Sequence, residues 1–180
     1  MPLCKINRFF LVALVLLLLS QTSCRAIKTG RVPAAEPHQD AGFYREYSRI
    51  LGYSLSGTED PGLLREVSSW LGTPHRMGGI SRQGADCSGF VGEVFRAVYG
   101  IQLPRTSTAM ALFTREIPQS QLREGDLVFF ITRKGAKINH VGIYLSNGRF
   151  IHVSSTRGVI VSQLSEPFFV RTFYKAGRVR

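Results

Sequence analysis

The order of two apolar patterns along the chain constrains its fold more than any other feature of the sequence. Apolar residues recur at helical spacing in the first part of the chain and occur in short β-like runs in the last third. The predicted helices cover residues 43–51, 61–71, 87–99 and 108–114, and the predicted strands cover residues 127–132, 140–145, 149–154, 159–163 and 168–173. Helices first and antiparallel strands later predict a single α+β domain, with N-terminal helices packed on a mainly antiparallel β-sheet.

The first 23 residues have the composition of an export signal. Lys5 and Arg8 precede an uninterrupted apolar run over residues 9–19, and small polar residues follow it. The run is shorter than the roughly 20 apolar residues of a membrane-spanning helix. A basic start, an apolar core and a small-residue end are typical of a secretory signal. We therefore predict a signal peptide over residues 1–23, with a buried core helix as the alternative.

Cys24, directly after this segment, resembles the cysteine of bacterial lipoprotein signals, which is lipidated and becomes the first residue of the mature chain. Gln21 departs from that pattern, since those signals usually carry Leu there, and cleavage without lipidation is the alternative. A fatty-acyl anchor such as palmitate would hold the protein at a membrane without a spanning helix. Arg25, and not Asp, follows Cys24. This resembles the pattern of lipoproteins that double-membraned bacteria sort to the outer membrane. We therefore expect an exported lipoprotein at the outer membrane, facing the periplasm, with the outer face of the cytoplasmic membrane as the alternative.

The segment between the anchor and the domain is predicted to be flexible. Residues 24–42 lack apolar periodicity and contain Pro33 and Pro37, which is typical of a tether to a domain over residues 43–180. The formal net charge of the chain is +11. A nucleic-acid partner is not expected, because an export signal is present and a nucleic-acid-binding motif is not. Other anionic partners, such as phospholipid headgroups, explain the charge more simply.

Cys87 is the single thiol expected in the folded domain, because Cys4 leaves with the signal peptide and Cys24 would carry lipid. It lies where a loop feeds a predicted helix. Backbone N–H groups and the helix dipole favour negative charge there, so the sequence predicts a lowered thiol pKa and a nucleophilic role. A buried cysteine that only packs is the alternative.

Two histidines flank a predicted hairpin, His140 on one strand and His152 on the next. A plain two-residue Asn-Gly turn would put the two rings on opposite faces of the sheet, because side chains alternate along a strand. A three-residue loop, or an equivalent shift of one residue, would pair Gly142 with His152 and bring both rings to one face. We predict the shifted register.

A cysteine nucleophile needs a base, and the base needs a group that fixes its tautomer. We assign Cys87 as nucleophile, His140 as general base and then acid, and His152 as the residue that orients His140. The backbone N–H of Cys87 is the expected oxyanion donor. A zinc site made from these residues and His75 is an alternative, although they lack the close ligand spacing of structural zinc modules.

Six short motifs carry a family resemblance. They are Trp70-Leu71-Gly72-Thr73-Pro74, Asp86-Cys87-Ser88-Gly89-Phe90, Leu103-Pro104-Arg105-Thr106-Ser107, Gly125-Asp126-Leu127-Val128-Phe129-Phe130, His140-Val141-Gly142-Ile143-Tyr144 and Phe150-Ile151-His152. Together they resemble the NlpC-type cell-wall cysteine peptidases, which include lipoprotein endopeptidases. The resemblance implies a papain-like α+β core and a Cys-His-His triad. It also implies hydrolysis, without a cofactor, of amide bonds in peptidoglycan stem peptides or cross-links.

Four further residues are candidates for substrate binding by resemblance. Asp86, Ser88 and Arg105 are expected to hold carboxylates or amines of the substrate, with a helix cap (Asp86) and a solvated loop charge (Arg105) as alternatives. His75 stands where the family usually carries Tyr, and an imidazole can also donate a hydrogen bond near the oxyanion. Two other functions are alternatives: a wall-binding protein that keeps the fold without turnover, and a papain-like acyltransferase or lipase.

Overall fold

The computed structural model describes residues 37–135 and 137–179. Its helices are α1 (Pro37–Leu51), α2 (Pro61–Ser68), α3 (Cys87–Tyr99), α4 (Ser107–Phe113) and α5 (Pro167–Thr172). Its strands are β1 (Ile80–Ser81), β2 (Gly84–Ala85), β3 (Arg115–Ile117), β4 (Leu127–Phe130), β5 (His140–Tyr144), β6 (Arg149–Ser154), β7 (Gly158–Gln163) and β8 (Phe173–Arg178). Among these residues, no helix combines the length and the hydropathy needed to cross a membrane.

Six strands form one sheet in the order β3-β8-β4-β5-β6-β7. Every pairing in this sheet is antiparallel, and β1 and β2 form a separate small hairpin. Strands β4 to β7 are neighbours both in sequence and in space, as short connections favour. The predicted α+β class is therefore confirmed, with the four early helices preceding the long strands.

The two faces of the central strands belong to two apolar clusters, because successive side chains point to opposite faces. Phe129, Ile143 and Ile151 pack with the apolar side chains of α2 and α3. Phe130 and Phe150 pack on the other face, with Phe169 of α5. The even-numbered residues of β5 and β6 lie on this second face, so His140 and His152 share it.

Local signals set the ends of the helices that frame the site. The Asp60 side chain accepts hydrogen bonds from the first turn of α2, and Asp86 caps α3 in the same way. Gly100 ends α3 in the left-handed conformation with φ at 67°. These boundaries follow the prediction, except that α2 ends at Ser68, before residue 71.

Helix α1 ends at Leu51, as predicted, but begins at Pro37 instead of residue 43. Proline is tolerated in a first turn because its missing N–H would be unpaired there in any case. Residues 37–42 of the predicted tether are therefore helical. Residues 1–36, which hold the predicted signal peptide, Cys24 and the rest of the tether, lie outside the described residues.

The prediction of a strand over residues 168–173 is wrong, since these residues form most of α5 and only the first residue of β8. Pro167 starts the helix, and the Val170 N–H donates to the Glu166 carbonyl at 3.0 Å. Phe169 is buried, whereas its neighbours Phe168 and Val170 are exposed. A short apolar run is compatible with either a buried strand or a helix. Here the run is a helix that buries one phenylalanine, Phe169, and leaves its two neighbours exposed.

Candidate active site

Cys87 is the first residue of α3, and the loop before it is held tightly against the helix. Gly89 lies so close to the loop that a Cβ there would overlap the carbonyl oxygen of Gly79. The N–H of Asp86 donates to the same carbonyl at 3.1 Å. Glycine at 89 therefore allows the loop of residues 72–79 to pack directly beside the cysteine.

The sulfur of Cys87 faces the start of β5. Its thiol lies 4.0 Å from the carbonyl oxygen of Asn139, and the N–H groups of Val141, Ser88 and Cys87 itself also act on it. Burial is the largest effect and raises the pKa of the thiol, and the Asp86 carboxylate adds to the rise. The predicted lowering of the thiol pKa is therefore wrong, because the backbone N–H groups do not offset the loss of solvent.

The hairpin between β5 and β6 has the predicted shifted register. Gly142 pairs with His152, and the N–H of Leu145 donates to Arg149 while that of Arg149 donates to Ser146. Asn147 and Gly148 both have positive φ, at 53° and 75°, as a type I′ turn requires. Leu145 and Ser146, which directly follow β5, thus both oppose Arg149. A bulge beside a two-residue turn therefore supplies the one-residue shift.

This register brings the two imidazoles into contact. The Nε2 atom of His140 lies 3.0 Å from the Nδ1 atom of His152, and the rings are perpendicular. Glycine at 142 allows β5 to pack this closely on β6, because a Cβ there would lie 2.7 Å from the Phe150 ring and 2.8 Å from the Ile151 carbonyl oxygen. The geometry leaves Nδ1 of His140 as the ring nitrogen not used between the histidines.

Both imidazoles are held in the neutral form. Burial lowers the pKa of His140 to about 4, with a further contribution from the charge of His75. Burial also lowers the pKa of His152 to about 3, and the charges of His140 and Arg157 act in the same direction. A neutral imidazole can accept a proton, so the pair is in the protonation state that a general base requires.

Ser162 is a polar residue of this site that the sequence alone does not predict, and it contacts His152. Its hydroxyl lies 3.2 Å from Nε2 of His152, and both residues are 4% exposed. A serine in an alternating strand carries no signal that separates it from a solvent-facing residue. Only the register of β6 against β7, in which Phe150 pairs with Ser162, identifies it. We refer to His140, His152 and Ser162 as the strand cluster.

Asp86, Ser88 and Arg105, the helix-tip cluster, are joined to one another. The Arg105 guanidinium binds both carboxylate oxygens of Asp86, at 2.9 and 2.7 Å, and donates to the Ser88 hydroxyl at 2.9 Å. Asp86 also accepts from the N–H groups of Gly78 and Gly89. These donors outweigh burial and lower the pKa of Asp86. Asp86 therefore does cap α3, which was the alternative to its expected substrate-binding role. Arg105 is ion-paired at the cleft and is not a solvated loop charge.

One open cleft of about 1060 Å³ contains all seven candidate residues of the domain. They are His75, Asp86, Cys87, Ser88, Arg105, His140 and His152. His75 is exposed, and its backbone forms a bridge with Ala85 that brings the loop beside the helix tip. Met77 and Phe168 are exposed apolar residues of the wall. The cleft therefore combines a thiol, neutral bases and charged groups in one solvent-accessible space.

The zinc alternative receives no support from the side-chain arrangement. In the part of the chain that the structure describes, no group of three or more His, Cys, Asp or Glu side chains is arranged to hold a metal ion. The His140 nitrogen nearest His152 is engaged by that ring at 3.0 Å. The two histidines are thus arranged as a hydrogen-bonded pair.

Comparison with known proteins gives the context for this site. The model of the NlpC/P60 family matches residues 72–178. The probable endopeptidase NlpC homolog of Haemophilus influenzae is 36% identical over 151 residues, which are 84% of this chain and 79% of that protein. Escherichia coli K12 murein DD-endopeptidase MepS, also named a murein LD-carboxypeptidase, is 39% identical over 117 residues, which are 65% of this chain and 61% of that protein.

A solved structure agrees with these relatives. The crystal structure of an NlpC/P60 family protein from Bacillus cereus superposes with a TM-score of 0.61 at 30% identity, over 65% of this chain and 39% of that chain. The match thus spans less than half of the solved chain. It confirms the papain-like α+β fold, and the two relatives are named a probable endopeptidase and a murein endopeptidase. The chain belongs to the NlpC/P60 family.

Proposed function

We propose that this chain is a cysteine endopeptidase that hydrolyses amide bonds in peptidoglycan stem peptides or their cross-links. The observation that carries the proposal is the 3.0 Å contact between His140 and His152 in the cleft that also contains Cys87. A buried pair of neutral imidazoles beside a thiol at a helix start is what a cysteine nucleophile with an oriented base requires. The murein endopeptidase relative supports peptidoglycan as the substrate class.

The first step follows from the protonation states. Because burial raises the pKa of Cys87 and lowers that of His140 to about 4, the neutral thiol and neutral imidazole are the resting forms. Nδ1 of His140 therefore takes the thiol proton as the sulfur attacks the substrate carbonyl carbon. The carbonyl π electrons move to oxygen, and the Cys87 N–H at the start of α3 donates to that oxyanion.

The second step breaks the amide bond. The imidazolium of His140 returns its proton to the leaving nitrogen, which departs as an amine and leaves a thioester on Cys87. A water molecule then attacks the thioester, with His140 again taking a proton, and the thiol and a free carboxylic acid are formed. His152 stabilises the imidazolium throughout by accepting from Nε2 of His140.

The helix-tip cluster and His75 are proposed to bind the substrate. The side chain of Arg105 is 47% exposed, whereas that of Asp86 is 13% exposed and already accepts several hydrogen bonds. Arg105 is therefore the member that presents charge to a substrate carboxylate, while Asp86 holds Arg105 and Ser88 in position. His75, exposed beside the thiol, donates to a polar group of the bound peptide.

Digestion of purified wall fragments tests the proposal. Wild-type protein and Cys87→Ala would be incubated with the fragments, and the products read by mass spectrometry, which also identifies the bond that is cut. We expect cleavage by the wild type and a loss of at least about a thousandfold in Cys87→Ala. Arg96→Ala is the matched control, because Arg96 pairs with Glu93 on the exposed side of the same helix. Equal amounts of product from wild type and Cys87→Ala would refute the proposal that Cys87 is the catalytic nucleophile of a peptidase.

A wall-binding protein without turnover is the second candidate function. One observation favours it: burial raises the pKa of the Cys87 thiol, and this thiol lies 4.0 Å from the Asn139 carbonyl oxygen. The same experiment separates the two functions. Retention of wall fragments by the wild type with no product at any pH would establish binding alone.

We also propose that the chain is an exported lipoprotein, anchored through Cys24 at the outer membrane. The basic and apolar start of the sequence and the position of Cys24 support this. Growth with labelled palmitate tests it: the wild type and Cys4→Ala should carry the label, and Cys24→Ala should not. Label that persists in Cys24→Ala would refute the anchor, and fractionation of inner and outer membranes tests the destination.

A further inference from the structure

The hydroxyl of Ser162 has a contact that the triad alone does not explain. It lies 3.2 Å from Nε2 of His152, the ring nitrogen that faces away from His140. Ser162 and His152 are diagonal neighbours on one face of the β6–β7 ladder, since Phe150 pairs with Ser162 and His152 with Ile160. Both residues are 4% exposed, so bulk water does not compete freely for this contact.

Aromatic rings close the space around His152. Phe150 stacks on the imidazole with centroids 4.9 Å apart, and Phe169 of α5 meets it edge-on at 5.2 Å. A buried N–H without an acceptor costs about 1–3 kcal/mol. A proton on Nε2 of His152 therefore depends on the Ser162 oxygen.

The hydrogen count of the pair defines when that proton is needed. When His140 is ready to accept the thiol proton, its Nδ1 is bare, one hydrogen lies between the rings and the other is on Nε2 of His152. When the pair is protonated, Nδ1 of His140 carries the third hydrogen, and Nε2 of His152 still carries one. Only in the tautomer with hydrogen on Nδ1 of both rings is Nε2 of His152 bare, and His140 then cannot act as a base.

We propose that Ser162 is a positioning residue that, by accepting from Nε2 of His152, selects the tautomer in which His140 can take a proton from Cys87. The inference rests on the proposed cysteine mechanism. A neutral hydroxyl accepts this hydrogen without favouring the protonated, positively charged form of the pair. A carboxylate in its place would favour that charged form. The pair thus stays neutral at rest and is still supported in the protonated state.

Kinetics with the full chain on purified wall fragments test the role. Relative to wild type, Ser162→Ala is expected to lower kcat by at least about tenfold, as loss of an outer-shell partner does, with KM unchanged. The acidic limb of its pH–rate profile is expected to move to lower pH, because the protonated pair has lost an acceptor. Ser162→Thr, which keeps a hydroxyl with the same donor and acceptor capacity, should recover kcat to within about threefold.

The control is Ser68→Ala on α2, which removes a buried hydroxyl that has no hydrogen-bond partner among the described residues. It should leave kcat and the pH profile unchanged. A wild-type kcat and pH profile in Ser162→Ala would overturn the proposal. Equal losses in Ser162→Ala and Ser162→Thr, with an unmoved pH profile, would also overturn it, because they would indicate packing alone.

A spectroscopic readout separates this inference from the proposed function. Imidazole ¹⁵N NMR of Cys87→Ala, in which turnover is absent by design, reports which nitrogen of His152 carries hydrogen. We expect hydrogen on Nε2 in Cys87→Ala and a shift toward Nδ1 when Ser162→Ala is added. Hydrogen on Nδ1 with Ser162 present would overturn the Ser162 role even if the protein is an active cysteine peptidase. Conversely, a failed digestion experiment would leave this readout intact.

Discussion

The two polar walls of the cleft hold their groups in opposite electrostatic states. In the helix-tip cluster, Asp86 is charged and bound by Arg105 and backbone N–H groups, which lower its pKa. In the strand cluster, burial lowers the pKa of His140 to about 4 and that of His152 to about 3, so both rings are neutral. In the proposed mechanism these two states serve different purposes. The fixed charge holds a substrate, and the neutral, protonatable rings move a proton.

Removal of the base should have the largest effect. His140→Ala takes away the proposed acceptor of the Cys87 proton, so kcat/KM is expected to fall by at least about a thousandfold. His152→Ala should lower kcat/KM less, because His140 is still present as a base although it has lost its orienting partner. Steady-state kinetics on wall fragments measures both. A His152→Ala loss much greater than that of His140→Ala would assign the base to the wrong ring.

The neutral state of the strand cluster predicts a pH-dependent stability. Both folded-state pKa values lie below the usual 6.5 of histidine, so below that pH the unfolded chain binds protons that the folded chain does not. The free energy of unfolding should therefore be fully retained above about pH 6.5. It should decrease toward pH 4, by at most about 2 kcal/mol per histidine at pH 5.

Urea unfolding at pH 7.5 and pH 5 measures this decrease. His152→Gln should lose a large part of it, because one buried neutral imidazole is gone. His75→Gln is the matched control, since His75 is exposed, and it should keep the wild-type dependence. The same decrease in all three proteins would show that other groups control the acid sensitivity.

Breaking the helix-tip cluster should affect binding more than turnover. Arg105→Ala removes the half-exposed guanidinium but leaves Asp86 accepting hydrogen bonds from the N–H groups of Gly78 and Gly89. We expect KM to rise about tenfold with kcat within about threefold. Arg105→Lys should recover part of the loss, because an ammonium cannot bind both carboxylate oxygens in the same way. A large fall in kcat with unchanged KM would move Arg105 from substrate binding to the chemistry.

Glu124, outside the cleft, provides a smaller test of burial acting on a carboxyl group. Burial raises its pKa to about 7, and one of its oxygens is buried without a hydrogen-bond partner among the described residues. Between about pH 4.5 and pH 7 the folded state therefore binds the extra proton, and stability falls as pH rises through this range. Glu124→Gln should raise Tm at pH 8 by about 2–4 °C.

The comparison for Glu124→Gln is Glu46→Gln, at an exposed position of α1. That variant should change Tm little at either pH. At pH 4, where wild-type Glu124 is itself neutral, Glu124→Gln should gain almost nothing. A gain of the same size at pH 4 and pH 8 would attribute the effect to packing and not to ionisation.

Much of this arrangement could be predicted from sequence because strand alternation makes register a strong constraint. His140 and His152 can meet only with a one-residue shift, and the shift is present as a bulge beside Asn147 and Gly148. The cap at Asp86 and the stop at Gly100 are local signals as well. Features encoded within a few residues were therefore recovered.

The missed features depend on contacts between distant segments. The Arg105–Asp86 pair joins residues far apart in the chain, and the Ser162 contact depends on a third strand. The thiol pKa was predicted with the wrong sign, because the helix start is visible in the sequence whereas the burial of Cys87 is not. The strand predicted over residues 168–173 failed because a short apolar run has no distinguishing period.

The central claim is that Cys87 forms a covalent acyl intermediate with wall peptides. Acid quenching during turnover, followed by mass spectrometry of the intact and digested protein, tests it most directly. The account predicts a thioester of the acyl half of the cleaved peptide on the fragment that contains Cys87, and neither adduct nor product with Cys87→Ala. Continued product formation by Cys87→Ala, with no adduct on the wild-type cysteine, would contradict it.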